Sequence, residues 1–335
     1  MSMPSHRELT LVQAIREALF EEMHRDDRVF LLGEDVAAPG GPFKVTEGLL
    51  AEFGPTRVLD TPISEAGFAG VAVGAAMTGR RPILEILMCD FVTLAMDQMV
   101  NQAAKVHYMT GGGLKVPLVL RTPLGAGRRS AAQHSQSLHA WFCHIPGLKV
   151  VMPSTPYDAK GLLKSAVRDD SPVIFFEHKL MYQTKGPVPE TEYTLPLGRA
   201  DVKREGEDIT VVATSRMVHV ALSAAERLSR HDISVEVVDP RTLVPLDAET
   251  LITSAKKTSR VIVVDEGHSH YGITGELAST IAEGAFYYLD APVRRLAAMD
   301  VPIPFSPPLE DAAIPDEDVL VETVLELTRT RSTRG

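Results

Sequence analysis

LKVVMPSTPYDAKGLLKSAVRDDSPVIFFEH, residues 148–178, holds the pattern that decides the fold. LKVVMP and PVIFFEH are apolar runs of strand length, and the amphipathic stretch between them is long enough for a helix. Strands joined in this way run parallel, because a parallel pair needs a crossover that returns along the sheet. The alternation extends outward in both directions. RVFLL, RVLD, PILEILM and PLVLR read as further strands with helices between them. LTLVQAIREALFEEMHRD opens the series as a helix, with Val12, Ile15, Leu19 and Met23 at helical spacing and Thr10 and Gln13 placed as a capping box. Residues 183–207 lose the periodicity and gather Pro, Gly and charge, the composition of an interdomain connection. Beyond them DITVVAT, MVHVALSAAERLS, ISVEVVD, a helix after Asp247, RVIVVDE and VRRLAA restart the alternation. The expected architecture is α/β in two domains: a mostly parallel sheet covered on both faces over residues 1–185, a linker over 186–207, and a second, smaller α/β domain over 208–335.

The bulk properties agree with two cores. A chain of 335 residues exceeds the usual size of one hydrophobic core. With 44% hydrophobic and 23% charged residues and a mean hydropathy of +0.02, it has an ordinary globular composition. A formal net charge of -10 argues against nucleic acid as a partner, since phosphate neutralisation needs clustered Lys and Arg. Cys89 and Cys143, the only two cysteines, sit in or beside apolar runs and form no disulfide framework, so a reducing cytoplasm is expected. MSMPSHRELT lacks the apolar core of a signal peptide, and the longest apolar stretch, Ala66 to Met77, is too short and glycine-rich to span a bilayer; no membrane partner is expected. From Leu296 to Thr328 there are eight acids and no Lys or Arg, for which a solvated acidic face is the plain reading.

Several chemistries lack their motifs. No GxGxxG follows a strand and no GxxxxGK[ST] occurs; GGGLK at 111–115 and GAGRR at 125–129 read only as glycine-rich loops. No GxSxG supports a nucleophile elbow. His134, His139 and His144 recur every five residues, about 140° apart on a helix, so they cannot share a face as metal ligands. DTPISEAGFAG at 60–70 is more telling. Glu65 stands at the mouth of a segment of Ala, Val, Phe and glycines, whose backbone can approach another element closely. On a helix, the N-terminal dipole would favour the anion there and desolvation the neutral acid. A helix-capping acid and a catalytic one both remain open from spacing alone.

GEDV at 33–36, DTPISEAGFAG, CDFVTLAMDQMVNQAAK at 89–105, AAQHSQS at 131–137, PGLKVVMPSTPYDAKGLLKSAVRDDSPV at 146–173 and EVVDPRTLVPLD at 236–247 together resemble one family. It is the β subunit of the thiamine-diphosphate-dependent 2-oxo acid dehydrogenases, a group including pyruvate, branched-chain 2-oxo acid and acetoin dehydrogenases. The resemblance runs in collinear order from about Thr10 to Leu327. It implies a pyrimidine-binding, ThDP-binding first domain and a transketolase C-terminal-like second domain. It implies that Glu65 hydrogen-bonds the cofactor's aminopyrimidine ring nitrogen and so assists removal of the thiazolium C2 proton. It places Phe91 on the pyrimidine ring and Ile63 in contact with it, although ordinary core packing would account for both. His134 would face the reactive carbon and the incoming lipoyl group, able to shuttle a proton near neutral pH. Glu34 would line an acidic passage between paired active sites, or cap a turn. Main-chain carbonyls of Leu118, Ala166, Val167, Asp169 and Ser171 would hold potassium, a hard cation suited to oxygen ligands.

The GDG…N signature that holds Mg²⁺ and the diphosphate in thiamine enzymes is absent from this sequence. The resemblance therefore implies an α subunit carrying that site, with thiamine diphosphate shared across the interface of an α₂β₂ heterotetramer. The lipoyl acyltransferase core would dock on the C-terminal domain, its basic binding module drawn by the acidic stretch. The main functional reading is the β subunit of the first component of a pyruvate-type 2-oxo acid dehydrogenase complex, an oxidoreductase passing an acyl group to lipoyl. Acetoin dehydrogenase is the alternative, because RTPLGAGRRSAAQHSQ differs from the RGPNG-type loop of pyruvate-specific members. A non-catalytic scaffold docking partners and a stand-alone transketolase-like enzyme are weaker readings. DTPISE and AAQHSQ argue against the first, and the missing diphosphate site against the second.

Overall fold

The computed structural model describes residues 6–329. The extreme N-terminal residues, on which the signal-peptide reading rests in part, lie outside the described residues, as do residues 330–335. The chain forms two compact units. One comprises the described residues up to Leu124 together with Trp141–Leu197; the other comprises Gly125–Ala140 and the residues from Gly198 onward. Residues 125–140, placed in the first domain by the sequence reading, thus belong to the second unit.

In chain order the first unit contains β1 (His6–Thr10), α1 (Leu11–Arg25), β2 (Val29–Gly33), α2 (Leu49–Phe53), β3 (Val58–Asp60), α3 (Glu65–Met77), β4 (Arg81–Glu85), α4 (Ala104–Met109) and β5 (Val119–Leu124). After α5 (His139–Cys143) come β6 (Lys149–Val151), α6 (Pro156–Arg168), β7 (Val173–His178) and β8 (Lys185–Pro189). Within this unit the strands stand in the order β6-β7-β5-β4-β2-β3, every pair parallel. β2, β4, β5 and β7 are buried at every residue, as a sheet covered on both faces requires.

The ends of α1 are written into its sequence. Thr10 accepts from the Gln13 N–H while the Gln13 side chain accepts from the Thr10 N–H, the reciprocal pair expected from the spacing. Its apolar face, Leu11, Ile15, Leu19 and Met23, joins Leu162, Leu163 and Val167 of α6 in one core with β2 and β7. Between the two helices Lys160 bonds Glu17 and Glu21, Lys164 bonds Glu21, and Arg168 bonds Glu22, so two buried lysines and a half-buried arginine meet carboxylates along the seam.

The second unit contains β9 (Asp201–Arg204), β10 (Ile209–Ala213), α7 (Arg216–Ser229), β11 (Val235–Asp239), β12 (Thr242–Val244), α8 (Ala248–Thr258), β13 (Val261–His268), α9 (Ile273–Ala285), β14 (Arg294–Ala298), α10 (Pro307–Ala312) and α11 (Glu317–Arg329). Its sheet runs β14-β13-β10-β11-β9, parallel except for β9 on the edge. Met217, Ala221 and Leu228 of α7 and Leu320 and Val324 of α11 cover it beside Val211, Val237 and Ile262.

Two strands fall where the sequence reading placed a connection. β8 pairs antiparallel with β1, and β9 with β11. Prolines in β8 hid it, since Pro suits only strand edges, yet Gly186 and Val188 are buried in alternation.

Candidate functional site

The site in the first unit grows from the carboxyl ends of its strands, the usual ligand position in open parallel sheets. β2 ends at Gly33, where a side chain does not fit without a shift of the backbone: a Cβ there would lie 2.5 Å from the Glu85 carbonyl oxygen of β4. Glu34 follows at once and is 7% exposed. Thr61 donates its N–H to the Gly33 carbonyl at 3.0 Å, bringing DTPISE alongside. α3 then starts at Glu65, with Ser64 at the N-cap making no side-chain capping bond. Glu65 is 6% exposed, and its carboxyl makes no hydrogen bond among the described residues. The helix-capping reading thus finds no capping bond, while the helix terminus still favours an anion.

Glu34 and Glu65 are brought together. The Glu34 carboxyl is pushed up from its ordinary range by burial first, then by the charge of Glu65 and of Asp35. Its Oε1 is buried without a hydrogen-bond partner among the described residues, so the turn-capping alternative has no support from that oxygen. Ile63 is 84% exposed, which removes core packing as its explanation. Phe91 is half-buried in a 3₁₀ turn, Cys89–Ala95, its N–H donating to Met88 O at 3.0 Å. The glycines of α3 do not face the core of this unit: Gly67, Gly70 and Gly74 lie with Val71 on an exposed side, whereas Phe68, Ala72 and Val73 are buried.

Beneath this edge lies a group that the sequence reading missed. Arg121 of β5 is 2% exposed; its Nε and Nη2 donate to Glu177 at 2.7 and 2.9 Å, and its Nη1 to Glu85 at 2.7 Å. Tyr182 Oη donates to Glu177 at 2.9 Å. Burial works against the Arg121 charge, but Glu177 and then Glu85 hold it above its ordinary range. Burial likewise pushes the Glu85 carboxyl up against the pull of Arg121. PILEILM, PLVLR and PVIFFEH each carry one of these three charges, and a lone charge in an apolar run was the available signal.

The carbonyls expected to hold potassium lie at the end of α6 and beside it. Leu118 O accepts from Val173 N at 2.9 Å and Ala166 O from Asp169 N at 3.3 Å. Arg81 donates to Val167 O at 2.9 Å and to Asp169 O at 2.9 Å. Ser171 N donates to the Asp169 side chain at 2.8 Å. These are hard oxygen donors with lone pairs to spare, but a guanidinium already faces two of them.

His134 belongs to the second unit. It ends a 3₁₀ turn, Ala132–His134, is half-buried, and its N–H donates to Ala131 O at 3.3 Å. His139, five residues on, lies 3.0 Å from Asp265 through Nε2. The acidic stretch of this unit is largely matched on the chain itself: Glu310 and Asp311 pair with Arg129, Glu317 and Asp318 with Arg227, and Glu326 with Arg294. Among the described residues no group of three or more His, Cys, Asp or Glu is arranged to hold a metal, and no helix is long and apolar enough to cross a membrane.

Residues 7–185 match the transketolase pyrimidine-binding domain and residues 198–320 the transketolase C-terminal domain. The chain is 50% identical to the β subunit of acetoin:2,6-dichlorophenolindophenol oxidoreductase of Bacillus subtilis, covering 96% of this chain and 97% of that one. It is 50% identical to the pyruvate dehydrogenase E1 component subunit β of Rickettsia felis, over 95% and 97% of the two chains. Identity is also 50% with the 2-oxoisovalerate dehydrogenase subunit β of Bacillus subtilis, over 95% and 98%. Among solved structures, a split-gene transketolase in an inactive β4 tetramer superposes with a TM-score of 0.76 at 24% identity, over 96% of this chain and 98% of the other, which bears on the fold alone. With half its residues shared along nearly its whole length, the chain belongs to the transketolase-like β subunits of the pyruvate, 2-oxoisovalerate and acetoin dehydrogenases.

Proposed function

We propose that this chain is the β subunit of the thiamine-diphosphate-dependent first component of a 2-oxo acid dehydrogenase complex, pyruvate-type, catalysing oxidative decarboxylation with transfer of the acyl group to lipoyl. The observation that carries the reading is Glu65: a buried carboxyl at a helix N-terminus, without a hydrogen bond from the described residues, in a chain of this family. The residues fit the pyrimidine half of the cofactor. Glu65 and the unpartnered Glu34 Oε1 offer oxygens to a ring that presents both a protonatable nitrogen and an amino group. When bound, thiamine diphosphate supplies a carbon nucleophile and an electron sink.

Glu65 would hold the ring nitrogen of the bound cofactor through a shared proton, and the cofactor would supply the basic amino group beside it. A water-poor site strengthens that interaction. Phe91 and the exposed Ile63 would hold the ring from its sides. Glu34, more readily protonated because it is buried beside Glu65, holds a proton within reach of the same site. His134 delivers a proton during acyl transfer. The diphosphate and Mg²⁺ fall to an α subunit, in an α₂β₂ assembly for which the exposed glycine face of α3 is a suitable contact. Potassium at the α6 carbonyls, an acyltransferase core docked on the C-terminal domain and a cytoplasmic location complete the proposal, with the domain limits taken as 1–185 and 208–335 apart from residues 125–140, which fold with the second unit.

Acetoin is the second substrate reading, favoured by the RTPLGAGRR loop and by the acetoin-oxidising relative. Co-purified α and β chains assayed with pyruvate, branched 2-oxo acids and acetoin, using an artificial electron acceptor, separate the two: turnover of acetoin alone sinks the main reading. Glu65→Gln in that assembly separates both from a scaffold, for which activity would be unchanged.

A further inference from the structure

The segment carrying His134 is a strained loop that acids of its own unit hold in place. Its ends are tied by Gly125 N donating to Gln136 O at 3.1 Å. Inside it Arg129 and Ala131 have φ of 57° and 61°, a region that side chains other than glycine rarely adopt, and Ala131 immediately precedes the turn ending at His134. Such backbone persists only where its surroundings over-determine it.

What over-determines it is a set of carboxylates. Glu310 of α10 is 0% exposed; its Oε1 accepts from Gly127 N at 2.6 Å, and its Oε2 from Arg129 N at 3.2 Å and Arg129 Nη1 at 2.9 Å. Asp311 accepts from Arg129 Nη2 at 2.9 Å, and Glu266 from Ala126 N at 2.6 Å. Ala126 packs with Ile303 and Ala313. At the far end His139 donates to Asp265, whose other oxygen accepts from the Thr214 hydroxyl and which also accepts from Gly267 N at 2.7 Å. Glu310 alone satisfies two backbone donors and one guanidinium, a charge-assisted clamp set in the first turn of α10.

We propose that Glu310 is a positioning residue for His134, holding the strained loop so that the imidazole meets the disulfide of the lipoyl acceptor. The inference rests on the functional reading above. In reductive acylation the lipoyl S–S bond breaks, one sulfur takes the acyl group, and the acyl carbon's bond to the cofactor would break with its electron pair returning to the cofactor carbon. The other sulfur leaves as a thiolate that needs one proton. The two electrons are those released when the bond to CO₂ breaks. His134 supplies that proton, so its placement matters for transfer to lipoyl and far less for electron transfer to a small dye.

The test uses the assembled enzyme. Glu310→Gln, which keeps one acceptor and loses the charge, is expected to slow acyl transfer to a lipoyl domain at least about ten-fold while dye-linked turnover changes less than about three-fold. Amide exchange over residues 126–136 should speed up about ten-fold with β10 and β13 unchanged. Arg129→Gln, which leaves Glu310 bonded to both N–H groups, should show the same pattern more weakly and carries the test if the first variant does not assemble. In the His134→Ala background, Glu310→Gln should cause no further loss; multiplicative losses overturn the positioning role. Unchanged exchange in residues 126–136 overturns the clamp whatever the kinetics. Full acyl transfer by His134→Ala alone instead overturns the functional reading, and the positioning role with it, while leaving the clamp standing on its exchange result.

Discussion

Replacing Arg121 with methionine tests whether the charges beneath the strand ends are structural. The guanidinium makes three charge-assisted hydrogen bonds of 2.7–2.9 Å to Glu85 and Glu177, and all three side chains are buried. Methionine fills part of the volume but leaves two carboxylates facing each other without a cation. Removing one partner of a buried pair costs roughly 3–5 kcal/mol. For a unit of this size each kcal/mol lowers Tm by about 2–4 °C, so the drop is expected to be about 6–20 °C. The pH dependence gives a second signature. Glu85 already has a folded-state value raised above the unfolded one, so its contribution to stability is complete at low pH and lost as pH rises through the folded value. Without Arg121 that value rises further, and the variant should lose stability more steeply than the parent above about pH 5. Adding Glu177→Gln should recover part of the loss by removing one of the opposed charges. Calorimetry of parent, single and double variants between pH 5 and 8 measures all of this. A Tm within 2 °C of the parent, or a variant most stable at the alkaline end, would refute the reasoning.

Other outcomes follow from the same geometry. Glu65→Gln should lower dye-linked turnover by about two to four decades, the usual worth of acid–base assistance, with Tm unchanged within about 2 °C because the carboxyl makes no hydrogen bond among the described residues to be lost. Gly33→Ala should cost several kcal/mol, roughly the scale of severe overpacking, and disturb the site with it, since the atom in the way is the Glu85 backbone carbonyl and Glu34 is the next residue; thermal melting and cofactor titration would show both. Burial penalises the Asp265 charge, but His139, Thr214 and Gly267 more than offset this and hold its carboxyl below the ordinary range. Its stabilisation is therefore present above the unfolded value near 3.8 and fades as pH falls through the lower folded value, so the acid limb of a stability–pH curve should flatten in Asp265→Asn.

Much of the architecture was legible without coordinates. The Thr10–Gln13 cap and the 3.6-residue spacing of α1 act within a few residues, and the strands after them are short apolar runs whose burial on both faces needs no alternation. β8 was hidden by its prolines. The resemblance pointed to Glu65 and Glu34; it did not reveal that Glu34 would sit beside Glu65 with an oxygen unpaired.

What the residues determined alone was therefore local: which segments form strands of a mostly parallel sheet, where helices begin, and which family motifs the chain carries. Only the folded chain decided that Arg121 would meet acids 36 and 56 positions away, and that the His134 loop would be held by Glu310, more than 170 positions further on. Periodicity and capping are energies between near neighbours and leave their pattern in sequence. A buried ion pair between distant segments depends on how the sheet brings strand ends together, and one charge in an apolar run does not say which other charge it will face.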